Sequence, residues 1–536
     1  MNSPFPLSLP IRIAIGSALI ANSAFCQSKE ATFACKYVGE GNEIRILSGS
    51  LNALVVASNP SGNRILFGGN VELPTSKRYQ GVSWKACAGL DGQLLWAVRS
   101  SEQPEAASLF PLATDGDWIW TGGMLKNGIF RLAKFEARTL RREASLQMAF
   151  EPTAPAPYIH FHSGTEQDSD LRVSVVQTLG GSFRVAIFSR DPKLVLDRVY
   201  SIPLASDRAK SEASAGGSLA RLPDHSGYYL FLTKVLASED KTRSRIAILR
   251  LDNNGAVKWA NTYLLHFPDP EVDPRVTPDG SILIAPMCPT TPNRALMKIR
   301  PDGNVNWSIW FDELTPNLND FQGSSTPYRF TEPWLLTNST QLGSRGLVYC
   351  VVSKIDYQTG KIENQIKFGA NTPGVGGFLE KRADSFYLGF MNSTLSLHPV
   401  CHCALLRLDY DLNLLAARKV LNGHPSWPSF RLLPSGGGLV SYDYPEKRTL
   451  VAEMVDETLE SANACQFLDK DTFALTKTHF GAHPADVTVS PLTPITVSEP
   501  KSKVTPGGEI ALVPLGLKSI SCNGKADIGN RAGVHP

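Results

Sequence analysis

Hydrophobic positions in this chain come in short runs, not in helical stripes. Arg64-Ile65-Leu66-Phe67 leads to Val82-Ser83-Trp84-Lys85-Ala86, and Tyr228-Tyr229-Leu230-Phe231-Leu232 leads to Arg245-Ile246-Ala247-Ile248-Leu249. Ser281-Ile282-Leu283-Ile284 leads in the same way to Ala295-Leu296-Met297-Lys298-Ile299. β-Branched and aromatic residues dominate these runs, which marks them as strands. No window of helical length keeps apolar residues at i, i+3, i+4 and i+7 without a Gly or Pro break, so long helices are not expected.

Two kinds of polar punctuation separate the runs. One is an Asp/Gly turn followed by a short strand that often ends in Trp. Its clearest copies are Leu90-Asp91-Gly92-Gln93-Leu94-Leu95-Trp96, Leu251 to Trp259 and Arg300 to Trp307. Weaker copies lie at Ile355 to Ile362 and Leu408 to Leu414, and degenerate ones at Phe135 to Leu140, Ser189 to Leu194 and Leu468 to Phe473. The other kind precedes each copy, as in Pro223-Asp224-His225-Ser226-Gly227, Pro278-Asp279-Gly280 and Pro434-Ser435-Gly436. Pro presets φ, Asp bonds nearby backbone and Gly accepts positive φ.

The resulting unit is strand, turn, strand, loop, strand, turn, strand, repeated about every 50 residues. Such a meander has two apolar faces and cannot bury both alone. Radial packing around an axis buries them and leaves short, protected edges. The pattern therefore predicts an all-β fold, a β-propeller of about eight four-stranded antiparallel blades, with seven as the alternative. The expected layout is a signal peptide at 1–26, an N-terminal segment at 27–43, the propeller at 44–483 and a strand-bearing C-terminal extension at 484–536. Eighth-blade strands are expected within 425–480.

The Leu-Asp-x-x-Gly-x-x-x-Trp copy at Leu251–Trp259 resembles the PQQ-type blade motif of quinoprotein-dehydrogenase-like propellers, here in an exported protein of bacterial type. The resemblance implies that Trp docks on the neighbouring blade while Asp and Gly shape the turn. Trp96, Trp259 and Trp307 hold that position, and the Ala that opens the family motif is replaced by Ile248 or Leu249. In the family's enzymes, pyrroloquinoline quinone binding uses a disulfide between adjacent cysteines, and no two cysteines are adjacent here. Asp-box repeats of sialidases are similar in outline but begin with a Ser that is missing.

The N-terminus changes the expected compartment. Arg12 precedes the apolar run Ile13 to Ala21, and Ala24-Phe25-Cys26 offers small side chains where a signal peptidase reads them. The run is too short for a membrane helix, and no later segment is long and apolar enough. Secretion or periplasmic location is expected, with cleavage near Cys26. Eight of the nine cysteines would then remain, an even number that permits disulfides. Cys35 and Cys522 are candidates for one, if the C-terminal extension closes the ring near the N-terminal segment. With 53 basic and 50 acidic residues the chain lacks the excess that phosphate-driven nucleic-acid binding requires.

Candidate chemistry is thin. Nucleotide-binding P-loop, zincin, nucleophile-elbow and Cys-x-x-Cys signatures are absent. His160 and His162 in Tyr158-Ile159-His160-Phe161-His162 share a strand face and could give two imidazoles to one metal. The competing reading is a polar face toward solvent or a channel, with Ile159 and Phe161 packed behind. Cys401 and Cys403 likewise share a face, but zinc needs four ligands. Asp269, Glu271 and Asp273 offer oxygens to calcium without the spacing of a dedicated loop. No cofactor is expected on this basis. Trp334 and Trp427 sit beside prolines, outside the repeat position, and are candidates for exposed, ligand-binding aromatics. The expected function is a monomeric, non-catalytic binding or scaffold module for a protein, glycan or envelope component. The alternative is an extracytoplasmic enzyme, a polysaccharide hydrolase or lyase or a quinoprotein-like oxidoreductase, with its site at the axial channel.

Overall fold

A computed structural model describes residues 34–39, 45–55, 64–72, 82–100, 106–107, 112–115, 118–125, 128–151, 158–162, 172–179, 182–202, 216–236, 244–265, 271–287, 294–311, 314–316, 328–331, 334–342, 348–368, 375–392, 402–420, 429–433, 437–444, 449–460, 468–470, 475–501, 503–507 and 512–521. The regular structure among them is entirely β, in eight separate sheets. Each sheet is a blade of a β-propeller, so eight blades replace the seven-blade alternative. Blade four shows the plan: Gly216–Arg221 innermost, then Gly227–Leu236, Ser244–Asp252 and Val257–Leu265, each antiparallel to the last. The other blades span 45–100, 106–149, 158–201, 271–311, 314–368, 375–420 and 429–455.

The core lies between the blades. Side chains alternate along each strand, so one set meets the preceding blade and the other the following one. In blade four, Tyr228, Leu230 and Leu232 pack against blade three, while Tyr229 and Phe231 pack against blade five.

A tight turn follows the third strand of every blade, and in the first seven blades it joins that strand to the fourth. Its backbone closes through bonds such as Asp252 N–H to Ala256 C=O at 3.0 Å and Asp409 N–H to Asn413 C=O at 3.0 Å. A residue with positive φ completes it in seven blades: Gly92, Leu140, Gly255, Gly303, Gly360, Leu412 and Leu459. The first Asp accepts backbone N–H bonds from inside the turn, as Asp252 does from Asn254 and Ala256.

Ring closure differs from the expected layout. The eighth turn is Asp456-Glu457-Thr458-Leu459-Glu460, closed by Asp456 N–H to Glu460 C=O at 2.8 Å, and not Leu468 to Phe473. Blade eight takes its fourth strand from the N-terminal segment. Ala34–Gly39 pairs with Thr449–Val455, placing Tyr37 opposite Leu450.

The C-terminal segment is a belt. From residue 468 it runs backward around the ring and adds a fifth, outermost strand to every blade. Leu468–Lys470 joins blade seven, Leu475–Lys477 blade six, Ala482–Pro484 blade five and Thr488–Pro491 blade four. Thr496–Ser498, Val504–Pro506 and Leu512–Pro514 follow on blades three, two and one. Leu517–Ser521 ends against Ala34–Gly39 on blade eight. The extension thus begins before the expected residue 484 and touches all blades.

Four belt strands end in Pro, at 484, 491, 506 and 514. The N–H of each following residue turns back to the blade: Ala485 to Ser308, Leu492 to Ala260, Gly507 to Ser145 and Leu515 to Ala97. Between strands the belt drops apolar side chains into the seams. Phe480, Leu492 and Leu515 are buried there, as is Leu517 at the start of the last belt strand. Each contributes about 1.5–3 kcal/mol of burial.

Candidate functional site

Function on this fold is decided by which surfaces the structure has already used. The face bearing the tight turns is bound together from blade to blade. Trp96, Trp259 and Trp307 donate Nε1–H to the carbonyls of Ala137, Pro301 and Tyr357 in the next blade, at 2.8, 2.9 and 3.0 Å. Tyr263 donates its hydroxyl to Gly303 at 2.6 Å.

A second set of contacts was not read from the sequence. Two residues before the third-to-fourth turn, five blades carry a cation: Lys134, Arg250, Lys298, Lys354 and Arg407. Lys134 reaches Asp191 at 3.1 Å and Lys354 reaches Asp411 at 3.5 Å, each in the following blade. Arg250 and Arg407 donate to the carbonyls of Pro301 and Glu457. Aromatic faces support three of the cations: Lys134 lies 4.5 Å from the Trp118 ring centre, Lys298 3.4 Å from Tyr357 and Lys354 4.4 Å from Trp334. The signal was present as a basic residue two places before the turn in copy after copy.

Electrostatics on this face follow from those contacts. The Lys134 hydrogen bond and charge hold the Asp191 carboxyl below its usual range, and the Lys258 hydrogen bond does the same at Asp252. Burial lowers Lys298, and the nearby Asp279 charge only partly offsets it. At Asp279, burial opposes ionisation, but bonds from Thr277, Ser281 and Tyr357 outweigh it. These groups are consumed in holding turns and seams.

The axis is lined by the innermost strands, and those of neighbouring blades contact one another. Tyr158–His162 is the innermost strand of blade three, so His160 and His162 have backbone positions on the channel wall, opposite Ser174 and Arg172. Two aspartates that follow this strand in the sequence, Asp168 and Asp170, lie outside the described residues. Glu271 and Asp273 open the innermost strand of blade five, and Asp269 lies outside the described residues. At the tight-turn mouth, Arg431 of blade eight meets Glu380 of blade seven at 3.4 Å. Among the described residues, no three His, Cys, Asp or Glu side chains are grouped to hold a metal ion.

The remaining candidates are dispersed. Trp334 begins the second strand of blade six and is half-buried, its ring under Lys354. Trp427, Cys401 and Cys522 lie outside the described residues. Cys35 is opposite Ser521 in the pairing of the N-terminal strand with the belt's last strand. Cys87 is a free, fully buried thiol, and burial pushes its pKa up to about 12.

On the outer rim, a recess of about 250 Å³ opens between blades four and five. Leu265, Met297 and Trp310 form its apolar wall, and the belt's His483 and Asp486 stand at its edge. No described helix is long and apolar enough to cross a membrane.

No protein-family model matches this chain, and no curated protein matches it. Solved structures do. The WD40 domain of SCAP from fission yeast aligns with a TM-score of 0.41 and 9% identity over 77% of this chain and 98% of that one. The Dos1 propeller aligns with a TM-score of 0.36 and 11% identity, covering 67% of this chain and 92% of that chain. A puromycin hydrolase aligns with a TM-score of 0.37 and 11% identity over 76% of this chain and 59% of its own. At such identities the likeness concerns fold alone, and the eight-blade assignment rests on the strand order of this chain.

Proposed function

We propose that the protein is an exported, non-catalytic binding or scaffold module that presents its loop face to a protein, glycan or envelope component. The carrying observation is the inequality of the two faces. On one, turns of a few residues are closed by backbone bonds and pinned across the seams by Trp and cation contacts. At the opposite face each fourth strand ends and the next innermost strand begins, as at Ser201 and Gly216 or at Val420 and Ser429. Recognition is carried by loops on a rigid frame, and here the fastenings among the described residues lie at the opposite end of the strands from the points where blades connect.

The test is binding of the mature chain to an array of envelope polymers, glycans and extracytoplasmic proteins. Replacing residues 421–428 by a Gly/Ser linker of equal length should remove binding, while Asp411→Ala on the stapled face should leave it intact. Unchanged binding after loop replacement, or catalytic turnover of an offered polymer, would overturn the reading.

A further inference from the structure

In five blades the belt is fastened in the same way, so its side chains can be compared from blade to blade. Just past the belt strand a backbone N–H returns to a carbonyl of the blade's fourth strand. Thr478 donates to Gln365, Ala485 to Ser308, Leu492 to Ala260, Gly507 to Ser145 and Leu515 to Ala97, at 2.9 or 3.1 Å. Each accepting residue is one place beyond the repeat's Trp position, so the five donors are equivalent.

At this position the belt plugs the seam with the preceding blade. Leu492 is buried between blades three and four, and Leu515 between blades eight and one. Blade six reaches the same end two residues later, with Phe480 buried between blades five and six. The seam between blades four and five lies between two of these filled seams, but there the belt supplies Ala485. The recess of about 250 Å³ on the outer rim opens at that place, and Ala485 lines it. The belt is not free to slide and close it. Ala485 is held from both sides, its N–H by the Ser308 carbonyl and its carbonyl by the Ser308 hydroxyl.

The shape and chemistry of the recess define an occupant. Leu265 and Met297 line it although each is only 1% exposed, so they form its floor, and half-buried Trp310 forms a wall. Water gains few partners on such a surface, and an apolar group that displaces it is favoured. The volume falls below the roughly 300–1,000 Å³ of pockets that enclose a whole small-molecule ligand. It suits one branched or aromatic side chain, the kind that fills the seams on either side. Asp486, exposed at the edge, favours a cation next to that side chain. Pro484 has no N–H to offer an added strand, so recognition rests on the inserted side chain.

We propose that this recess is a docking socket for a peptide segment of a partner protein. The segment inserts one Leu- or Phe-sized side chain where the belt has Ala485, and sets a neighbouring Lys or Arg against Asp486. Anchors of this kind carry most of the energy of small interfaces. The socket is on the outer rim and independent of the loop face, so it stands or falls separately from the binding reading above.

Fluorescence polarisation of a labelled peptide, Gly-Ser-Leu-Lys-Ser-Gly, titrated with the full chain tests it. Saturable binding is expected, with Kd on the order of 10 μM to 1 mM. The peptide with Ala in place of Leu should bind about tenfold more weakly. Glu in place of Lys should cost about threefold, and less as salt is raised. Ala485→Leu fills the socket from within, so it should abolish binding and raise Tm. Asp486→Asn, at an exposed position, should keep the fold and lose only the preference for Lys, which guards against a leucine variant that does not fold. Val497→Leu, at an exposed belt position on blade three, is the control and should bind normally. Absence of saturable binding, equal binding of the Leu and Ala peptides, or undiminished binding by a folded Ala485→Leu chain would overturn the proposal.

Discussion

Where blades four and five offer Trp to the next blade, that blade offers Gly. A Cβ on Gly360 would lie 2.7 Å from Trp307 Cδ2, and one on Gly303 would lie 3.2 Å from Trp259. In blades six and seven, where the Trp is missing, the reverse holds. Asn364 and Ala416 occupy the Trp position in blades six and seven, and the positive-φ residues that follow are Leu412 and Leu459, both buried. A leucine in the left-handed region costs about 1–2 kcal/mol. Removing a buried leucine costs about 2–5 kcal/mol, so the side chain wins. Leu459→Gly should therefore lower stability in urea unfolding although it relieves backbone strain; a gain in stability would refute the exchange. Gly360→Ala should destabilise more than Gly280→Ala. Both have positive φ, but a Cβ at 280 meets only Pro301 at 3.6 Å. This reciprocity explains why the copies at Leu408 to Leu414 and around Asp456 were weak or missed in sequence. They had lost Trp and Gly together, and a motif that scores both counts one packing change twice.

Edge strands left open invite pairing with other chains, and a propeller has one at the outside of every blade. The belt covers all eight, and its prolines leave the new edge short of donors. Successive belt strands are roughly seven residues apart, about the reach of an extended chain across one blade spacing of some 24 Å. Pro484, Pro491, Pro506 and Pro514 close strands of the belt, whereas the alternation of Val, Thr and Ile with Pro from Val487 to Ser498 indicated only that strands lie in this extension. What it paired with was not legible, because the strands are short and their partners recede along the chain, from Val420 opposite Leu468 to Cys35 opposite Ser521. Leu492→Ala should cost about 2–5 kcal/mol. Val497→Ala, at a residue 42% exposed on the same belt, should stay within about 0.5 kcal/mol. Thermal unfolding of the two variants checks the contrast. A chain ending at residue 467 should associate into larger species by light scattering, since its outer edges are bare.

At the scale of the ring, blade boundaries were readable because each blade is local in sequence. Closure was not, because it joins residues 34–39 to 449–455. The whole molecule also has a pH signature. Asp191, Asp224, Asp252, Asp302, Asp356 and Asp384 all have carboxyls held below their usual range. For such groups the stabilisation is complete above the unfolded value, near 3.9, and disappears as pH falls through the folded one. Tm by calorimetry should thus be level from neutral pH down to about 5 and decline below about 4. A rise on acidification would contradict the assignment. Cys87 should resist alkylation in the native protein at pH 8 and react only on unfolding, since its thiol is buried and held protonated.

The strand at Ala34–Gly39 lies between the third strand of blade eight and the final strand of the belt. The beginning of the chain must consequently wait for nearly everything that comes after it before it has a place to go. Synthesis that halts in any of the first seven blades leaves this strand without its partner and the ring without its lock. Completion of the molecule is thereby tied to completion of the message, and a fragment betrays itself by an unclaimed first strand.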